Sequence, residues 1–208
     1  MSLRLGDTAP NFEIDTTKGK IDFHEWIGDS WAFFFSHPAD FTPVCTTEMG
    51  RTAQLHEEFA KRNVKSLGLS TDTVEEHEKW ILDVNDTQNT DLQFPIVADA
   101  EHKIAELYGM IHPGESETAA VRTVFIIDPN KKIRLTMTYP MSCGRNFDEI
   151  LRVIDALQLS DAKKIATPAD WRPGDEVIIP PSISDEDAKD IFPQGWVEHR
   201  PYLRTVKI

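Results

Sequence analysis

Apolar residues along the chain follow two patterns that alternate through most of its length. Five runs have the continuous or alternating apolar character typical of strands, and stretches with helical spacing separate them. The predicted strands are Trp31–Phe35, Val64–Ser70, Phe94–Ala98, Val121–Ile127 and Ile133–Tyr139. The first is apolar throughout, which is typical of a strand buried on both faces of a sheet.

Helical spacing predicts three helices between and after these strands. The first two are Thr46–Arg62, which carries the stripe Met49, Ala53, His56 and Ala60, and Val74–Val84. The third is marked by the stripe Phe147, Ile150, Leu151, Ile154 and Leu157. Pro129-Asn130 supplies a turn between the last two strands and predicts a hairpin. We therefore expect an α/β fold with a mixed central sheet flanked by helices.

The pattern changes beyond Leu159, where prolines become frequent. Proline at this density disfavours long helices and central strands, so we expect an extended arm or a small proline-rich C-terminal domain. The predicted boundaries are 1–160 for the main domain and 161–208 for the extension. Trp171, Phe192 and Trp196 in the extension need a surface to cover them, and we expect the main domain or a second subunit to provide it.

Charge and composition exclude several classes of protein. The 22 Lys and Arg against 35 Asp and Glu give a net charge of −13, which argues against nucleic acid as a partner. No apolar run is long enough to span a bilayer, and the N-terminus has no secretory pattern, so we expect a cytoplasmic protein without a membrane partner. The seven histidines lack metal-site spacing, and we expect neither a metal nor another cofactor.

Cys45 is the most informative residue. It lies where the strand Trp31–Phe35 leads into a helix, and Thr42-Pro43 is a good N-cap and first helical residue. Cys45 then falls in the first helical turn, where the unpaired N–H groups and the helix dipole favour thiolate over thiol. The Thr42 hydroxyl and the Arg122 cation are candidates to stabilise developing charge. The alternative is that Cys45 is an inert, half-buried thiol.

The spacing of Pro38, Thr42 and Cys45 matches the motif P-x-x-x-T-x-x-C, and HPADFTPVCTTE around it resembles the 1-Cys branch of the peroxiredoxin family. Further similar segments run along the chain: GDTAPNFE, AVRTVFIIDP, YPMSCGRNFDEILRVIDALQL and ATPADWRPGDEVIIPP. The resemblance implies a thioredoxin-like fold with a C-terminal extension. It also implies a thiol-dependent peroxidase that reduces hydrogen peroxide and organic hydroperoxides through a Cys45 sulfenic acid.

The resemblance also implies roles for single residues. Cys45 matches the peroxidatic cysteine, and Pro38 matches the residue that shields its sulfur from water. Thr42 matches a residue that hydrogen-bonds the peroxide, and Arg122 matches the arginine that stabilises the thiolate and orients the substrate. The remaining matches are a pocket histidine, a second pocket arginine and a partner that fixes Arg122: His37, Arg145 and Glu48.

Three points stay open at this stage: the role of Cys143, the function of the protein and its oligomeric state. Cys143 is expected to be an ordinary thiol, so an external thiol restores Cys45, but a resolving or interface disulfide is an alternative. The function has two alternatives as well. One is a redox sensor or holdase switched by Cys45 oxidation. The other is an acyl hydrolase with Ser30 and His24 as its candidate residues, where Ser30 lies in an incomplete G-x-S-x-G pattern. We expect a homodimer, or a higher oligomer built from it, with Ile133–Tyr139 paired to its twofold copy.

Overall fold

The fold is described by a computed structural model covering residues 3–208. The chain divides into two compact units, the first ending at Phe147 and the second spanning Asp148–Ile208. The strands of the first unit are β1 (Glu13–Thr16), β2 (Gly19–Asp22), β3 (Trp31–Ser36), β4 (Val64–Ser70), β5 (Ile96–Ala98), β6 (Arg122–Ile127) and β7 (Ile133–Tyr139). Its helices are α1 (Phe23–Ile27), α2 (Pro43–Gln54), α3 (His56–Lys61), α4 (Val74–Gln88) and α5 (Lys103–Leu107).

The seven strands form one mixed sheet in the order β2-β1-β5-β4-β3-β6-β7. β3, β4 and β5 run parallel, whereas β6 pairs antiparallel with β3 and β7 pairs antiparallel with β6. The α/β class with a mixed sheet is therefore confirmed, as is the hairpin of the last two strands. All six residues of β3 are buried, as its continuous apolar sequence predicts.

The helix predicted over Thr46–Arg62 is wrong in extent, because two helices occupy this region. α2 begins three residues earlier and ends before Leu55, and α3 follows directly. The stripe holds for Met49 and Ala53, which are buried, but His56 and Ala60 are exposed. Burial shifts instead to Leu55 and Phe59, so the buried positions change their spacing where α2 ends and α3 begins.

α4 runs four residues beyond its predicted end. Thr73 and Glu76 form a capping box at its start, and Asn89, with φ of 48°, ends it in a left-handed conformation. Aromatic residues fill much of the core behind the sheet: the rings of Phe12, Phe23, Phe34 and Tyr108 contact one another. These rings pack against the central part of the sheet. That part includes β3, which α2 follows in the chain.

The second unit contains more regular structure than its prolines predict. It comprises most of α6 (Phe147–Lys163), followed by β8 (Val177–Ile179), α7 (Asp185–Ile191), β9 (Val197–Arg200) and β10 (Leu203–Val206). The three strands form a sheet in the order β8-β10-β9. Their core includes Trp171 and Phe192, which are almost fully buried. The expected small proline-rich C-terminal domain is therefore confirmed, whereas the alternative of an extended arm is wrong, because the prolines lie between short elements.

Candidate active site

Cys45 lies in the first turn of α2, where the local sequence determines the helix start. Thr42 is the N-cap, with extended backbone at φ −116° and ψ 146°, and Pro43 is the first helical residue. Proline fits there because it has no N–H to leave unpaired. The Cys45 side chain is fully buried at the end of the helix where unpaired N–H groups favour negative charge.

Arg122 brings a guanidinium to the sulfur. β6 pairs with β3, so Arg122, its first residue, lies beside the end of β3 from which the loop to α2 departs. Its Nη1 lies 3.4 Å from Cys45 Sγ and donates to Glu48 Oε2 at 2.7 Å. Its Nε and Nη2 donate to the carbonyl oxygen of Met141 at 3.0 and 2.7 Å. Arg122 is buried, so water screens its charge weakly.

Glu48 links two arginines. It follows Cys45 by about one turn of α2, and its carboxylate accepts from Arg122 and from Arg145. Although burial raises the pKa of Glu48, the charge and hydrogen bonds of Arg145, with Arg122, bring it below the ordinary value. Glu48 is therefore an ionised group that holds both guanidinium groups in place. The partner expected for Arg122 thus also binds Arg145.

Arg145 is fully engaged with protein atoms. Besides Glu48, its Nη1 donates to the carbonyl oxygens of Ser36 at 2.8 Å and Thr123 at 3.4 Å, and its guanidinium lies over the ring of Phe35. These contacts tie the end of β3 to the segment after β7. A substrate-binding role for Arg145 stays a prediction, and in this structure its donors hold the framework of the site.

The loop between β3 and α2 carries the other expected residues. The Thr42 hydroxyl is half-buried and donates to the carbonyl oxygen of Ala39 at 2.8 Å, while the Thr42 carbonyl accepts from the Thr46 N–H and hydroxyl. Pro38 is buried. Phe41, the residue before Thr42, has a positive φ of 54°, which a residue with an aromatic side chain rarely adopts. The hydrogen bonds of Thr42 and the backbone conformation of Phe41 thus define the turn that leads into α2.

His37 belongs to a buried network. Its Nε2 lies 2.9 Å from Asp40 Oδ1, and the other carboxylate oxygen of Asp40 lies 2.6 Å from Nδ1 of His77 on α4. Burial lowers the pKa of His37, against the effect of its hydrogen bond with Asp40. Burial raises the pKa of Asp40, but the two histidines together bring it below the ordinary value. Asp40 is therefore the charged centre of this network.

Sequence analysis missed three contributors to this site. Asp40 stands inside the recognised motif, and its spacing of three residues from His37 was the available signal. His77 lies 37 residues beyond Asp40, and no local pattern joins them. Met141 acts through its backbone carbonyl, so its side-chain identity carries no information about the contact.

Within the described chain, His37, Asp40 and Asp72 form a cluster with metal-ligand atoms lying within 4.8 Å of one another. Hydrogen bonds engage three of its four carboxylate oxygens. Both Asp40 oxygens contact histidines, and Asp72 Oδ2 accepts from the Asp40 N–H and from the Ser70 hydroxyl at 2.9 and 2.7 Å. The cluster therefore acts as a hydrogen-bond network that shapes the loop.

Neither Cys143 nor Ser30 is joined to the Cys45 network by the observed contacts. Cys143 is an exposed free thiol in the segment between β7 and α6, whereas Cys45 is a buried free thiol. Ser30 donates to Asn63 Oδ1 at 2.9 Å, and His24 Nε2 lies 2.8 Å from the Ala9 carbonyl oxygen. Ser30 and His24 thus each bind a different partner, and no serine–histidine pair forms.

Comparisons with known proteins agree with this geometry. The sequence model "AhpC/TSA family" matches residues 5–136, and that of the "C-terminal domain of 1-Cys peroxiredoxin" matches residues 156–195. A 1-Cys peroxiredoxin of Dictyostelium discoideum is 52% identical over 203 residues, which cover 98% of this chain and 84% of the relative.

Solved structures show the same similarity. A cysteine-to-serine mutant of the peroxiredoxin 6 of Arenicola marina has a TM-score of 0.95 at 48% identity, covering 99% of this chain and 98% of the other. A yeast mitochondrial 1-Cys peroxiredoxin, described with its thiol resolving mechanism via glutathione/thioredoxin systems, has a TM-score of 0.92 at 50% identity. The alignment with it covers 99% of this chain and all of the other.

The fold and the site define a thiol-dependent peroxidase built on a thioredoxin-like fold. The chain belongs to the peroxiredoxin family, in its 1-Cys branch. The predicted family, fold class and enzyme class are thereby confirmed. Among the helices of residues 3–208, none has the length and apolar character needed to cross a membrane.

Proposed function

We propose that Cys45 is the nucleophile of the peroxidase reaction. Its thiolate attacks one oxygen of a hydroperoxide, the O–O bond breaks, and Cys45 becomes a sulfenic acid as it is oxidised by two electrons. The other oxygen leaves as hydroxide or alkoxide and takes up a proton to give water or an alcohol. The observation that carries this proposal is Arg122 Nη1 at 3.4 Å from Cys45 Sγ.

The other residues stabilise the negative charge of the attacking thiolate and of the leaving oxygen. Arg122 stabilises the thiolate and orients the peroxide, and its orientation is supported by Glu48 on one side and the Met141 carbonyl on the other. The Thr42 hydroxyl turns from the Ala39 carbonyl to hydrogen-bond the peroxide. Pro38 shields the sulfur from water, and His37 lies in the same loop. Donors aimed at developing charge act most strongly where water is excluded.

An external thiol completes the cycle. The sulfenic acid condenses with one thiol to a mixed disulfide and water, and a second thiol then releases the Cys45 thiol and forms the external disulfide. Glutathione and a thioredoxin system are the reductants to test first, because the yeast relative is described with both. The exposed position of Cys143 and the burial of Cys45 support an external reductant rather than an internal pair.

The proposal is tested by peroxide consumption with hydrogen peroxide and an organic hydroperoxide in the presence of glutathione, dithiothreitol or a thioredoxin system. Wild type and Cys143→Ser should turn over repeatedly, whereas Cys45→Ser should be inactive. Oxidation of only one equivalent per subunit with every thiol would instead favour a redox sensor or holdase, in which Cys45 oxidation changes an assembly.

We further propose that the protein is a cytoplasmic homodimer, or a higher oligomer built from it, in which residues 161–208 take part. β7 ends the sheet order and therefore has one side without a strand neighbour among the described strands. An unpaired edge favours pairing with a second copy. Val197 and Tyr202 in the second unit are exposed apolar residues that a partner would cover.

A further inference from the structure

The buried contact between Asp40 and His77 determines where protons lie in the network around His37. Nε2 of His77 lies 3.1 Å from the carbonyl oxygen of Val97, which only accepts, so Nε2 carries a proton. Nδ1 of the same ring lies 2.6 Å from Asp40 Oδ2. The His77 ring is therefore held between the Val97 carbonyl and the Asp40 carboxylate.

The same carboxylate then determines the tautomer of His37. Asp40 Oδ1 is an acceptor, so Nε2 of His37, at 2.9 Å, donates to it. A neutral histidine carries one ring proton, which leaves Nδ1 as a bare lone pair. That nitrogen is buried and has no hydrogen-bond partner among the described residues. A buried polar atom without a partner is costly and calls for an explanation.

His37 is connected to the first turn of α2 through Trp80. It directly follows β3, and its ring lies 5.1 Å from the ring of Trp80, whose indole N–H donates at 3.2 Å to the hydroxyl of Thr46, the residue after Cys45. The titratable and charged groups around the ring are Asp40 in its own loop, His77 on α4, and Asp72 between β4 and α4. The first two fix its proton.

We propose that Asp40 and His77 are positioning residues for the peroxidase reaction, which hold His37 in its Nε2–H form so that the bare Nδ1 accepts a hydrogen bond from the hydroperoxide O–H. This inference rests on the proposed function. It assigns Asp40 and His77 an effect through His37 rather than contact with the substrate. The hydroperoxide brings an O–H donor into the site, whereas a thiolate and a carbonyl carry none. The Nδ1 acceptor of His37 therefore favours binding of the peroxide through its protonated oxygen.

Two variants change this arrangement while keeping side-chain size. Asp40→Asn places an amide NH₂ where one of the histidines now meets an oxygen, so at least one ring must change its tautomer. His77→Gln removes the ring that contacts the second oxygen of Asp40. His56→Gln is the matched control, because His56 is an exposed histidine on α3.

The experiment combines long-range ¹H–¹⁵N spectra of histidine-labelled protein with stopped-flow oxidation of Cys45 by hydrogen peroxide. We expect the wild-type spectrum to show the His37 ring protonated only at Nε2, and this signal to change in the variants. The rate constant should fall by about tenfold or more in Asp40→Asn and His77→Gln, because orientation of the reacting groups is lost. His56→Gln should match wild type.

Two outcomes overturn the inference, and they are distinguishable. If the wild type itself does not consume peroxide through Cys45, the proposed function fails and the inference fails with it. If the wild type is active but the variants keep its rate, or His37 carries its proton on Nδ1, the inference alone fails. The wild-type spectrum needs no variant, so poor folding of a variant does not protect the inference from this test.

Discussion

Arg145 and Glu48 are joined by three hydrogen bonds: the backbone N–H and Nε of Arg145 donate to Oε1 at 2.8 and 3.0 Å, and Nη2 donates to Oε2 at 2.6 Å. The backbone and the side chain of Arg145 thus bind both oxygens of the Glu48 carboxylate. Arg122 donates to the same carboxylate. The position of the Arg122 guanidinium beside Cys45 therefore depends on Arg145, which makes no observed contact with the sulfur.

Replacing Glu48 with Gln should therefore affect stability and activity together. The change leaves two buried guanidinium groups without their negative partner, and breaking a buried ion pair from one side costs about 3–5 kcal/mol. Urea unfolding measures this loss, and peroxide kinetics should show slower oxidation of Cys45. Glu78→Gln, at an exposed position on α4, is the control. Equal stability of the two variants would contradict the role given to Glu48.

Acid should weaken the fold through the same carboxylate. The pKa of Glu48 in the folded protein lies below its ordinary value of 4.5, so its contribution is present above that pH and is lost as the pH falls through the folded pKa. Asp40, also below its ordinary value, acts in the same direction. We expect the free energy of unfolding to decline less steeply below pH 4.5 in Glu48→Gln than in wild type, as measured by urea titrations at several pH values.

Arg122 should tolerate neither Met nor Lys. Its guanidinium serves Cys45, Glu48 and the Met141 carbonyl at once, a geometry that the single ammonium of lysine does not reproduce. Removing an electrostatic donor of this kind costs about 10²- to 10³-fold in rate, and Arg122→Met should show a loss of that order in stopped-flow peroxide kinetics. Arg122→Lys should recover a part of it.

Arg4→Met, at an exposed position, controls for the loss of one positive charge. A wild-type rate in Arg122→Met would show that the 3.4 Å contact with Cys45 has no role in the reaction.

The oxidised form of Cys45 should be a sulfenic acid rather than a disulfide. With one equivalent of peroxide and no thiol, dimedone should label Cys45, and excess peroxide should carry it to sulfinic acid. Cys143→Ser should behave like wild type in mass spectrometry of the labelled peptide. A quantitative Cys45–Cys143 disulfide on peptide mapping would place the chain among enzymes with a resolving cysteine.

Sedimentation should find an assembled protein at micromolar concentration. An unpaired sheet edge at β7 and the exposed Val197 and Tyr202 favour association. A charged residue on the edge, as in Thr136→Asp, should weaken the dimer because the twofold copy brings a second charge close to it. A monomeric wild type would rule out the proposed homodimer.

The strands and the central cysteine were predictable because they depend on local patterns. β4 and β7 match their predicted bounds, since apolar content and flanking turns mark both ends of such strands. The break at Leu55 was not predictable, because the helical period is nearly the same on both sides of it. The regular elements of the second unit were not predicted, for another reason. Proline excludes positions from helices and strands, but short elements fit between prolines when Trp171 and Phe192 supply a core.

The residues of the candidate site likewise fall into those that the sequence predicted and those that it did not. Residues of the motif around Cys45 were found from their spacing, and Arg122 and Arg145 from similarity in their surroundings. Asp40 and His77 were not assigned, because a tautomer depends on which atoms face each other across the fold. Spacing along a chain carries no such information.

The ring of Trp80 lies 5.1 Å from that of His37, and its indole N–H donates to the hydroxyl of Thr46, the residue after Cys45. Trp80 is therefore placed as an optical reporter. Indole fluorescence responds to the charge of a neighbouring imidazole and to a change of its own hydrogen bond. A change in the charge of His37 or in the hydrogen bond to Thr46 should therefore alter the emission of Trp80. Replacing the other four tryptophans with Phe would isolate this signal.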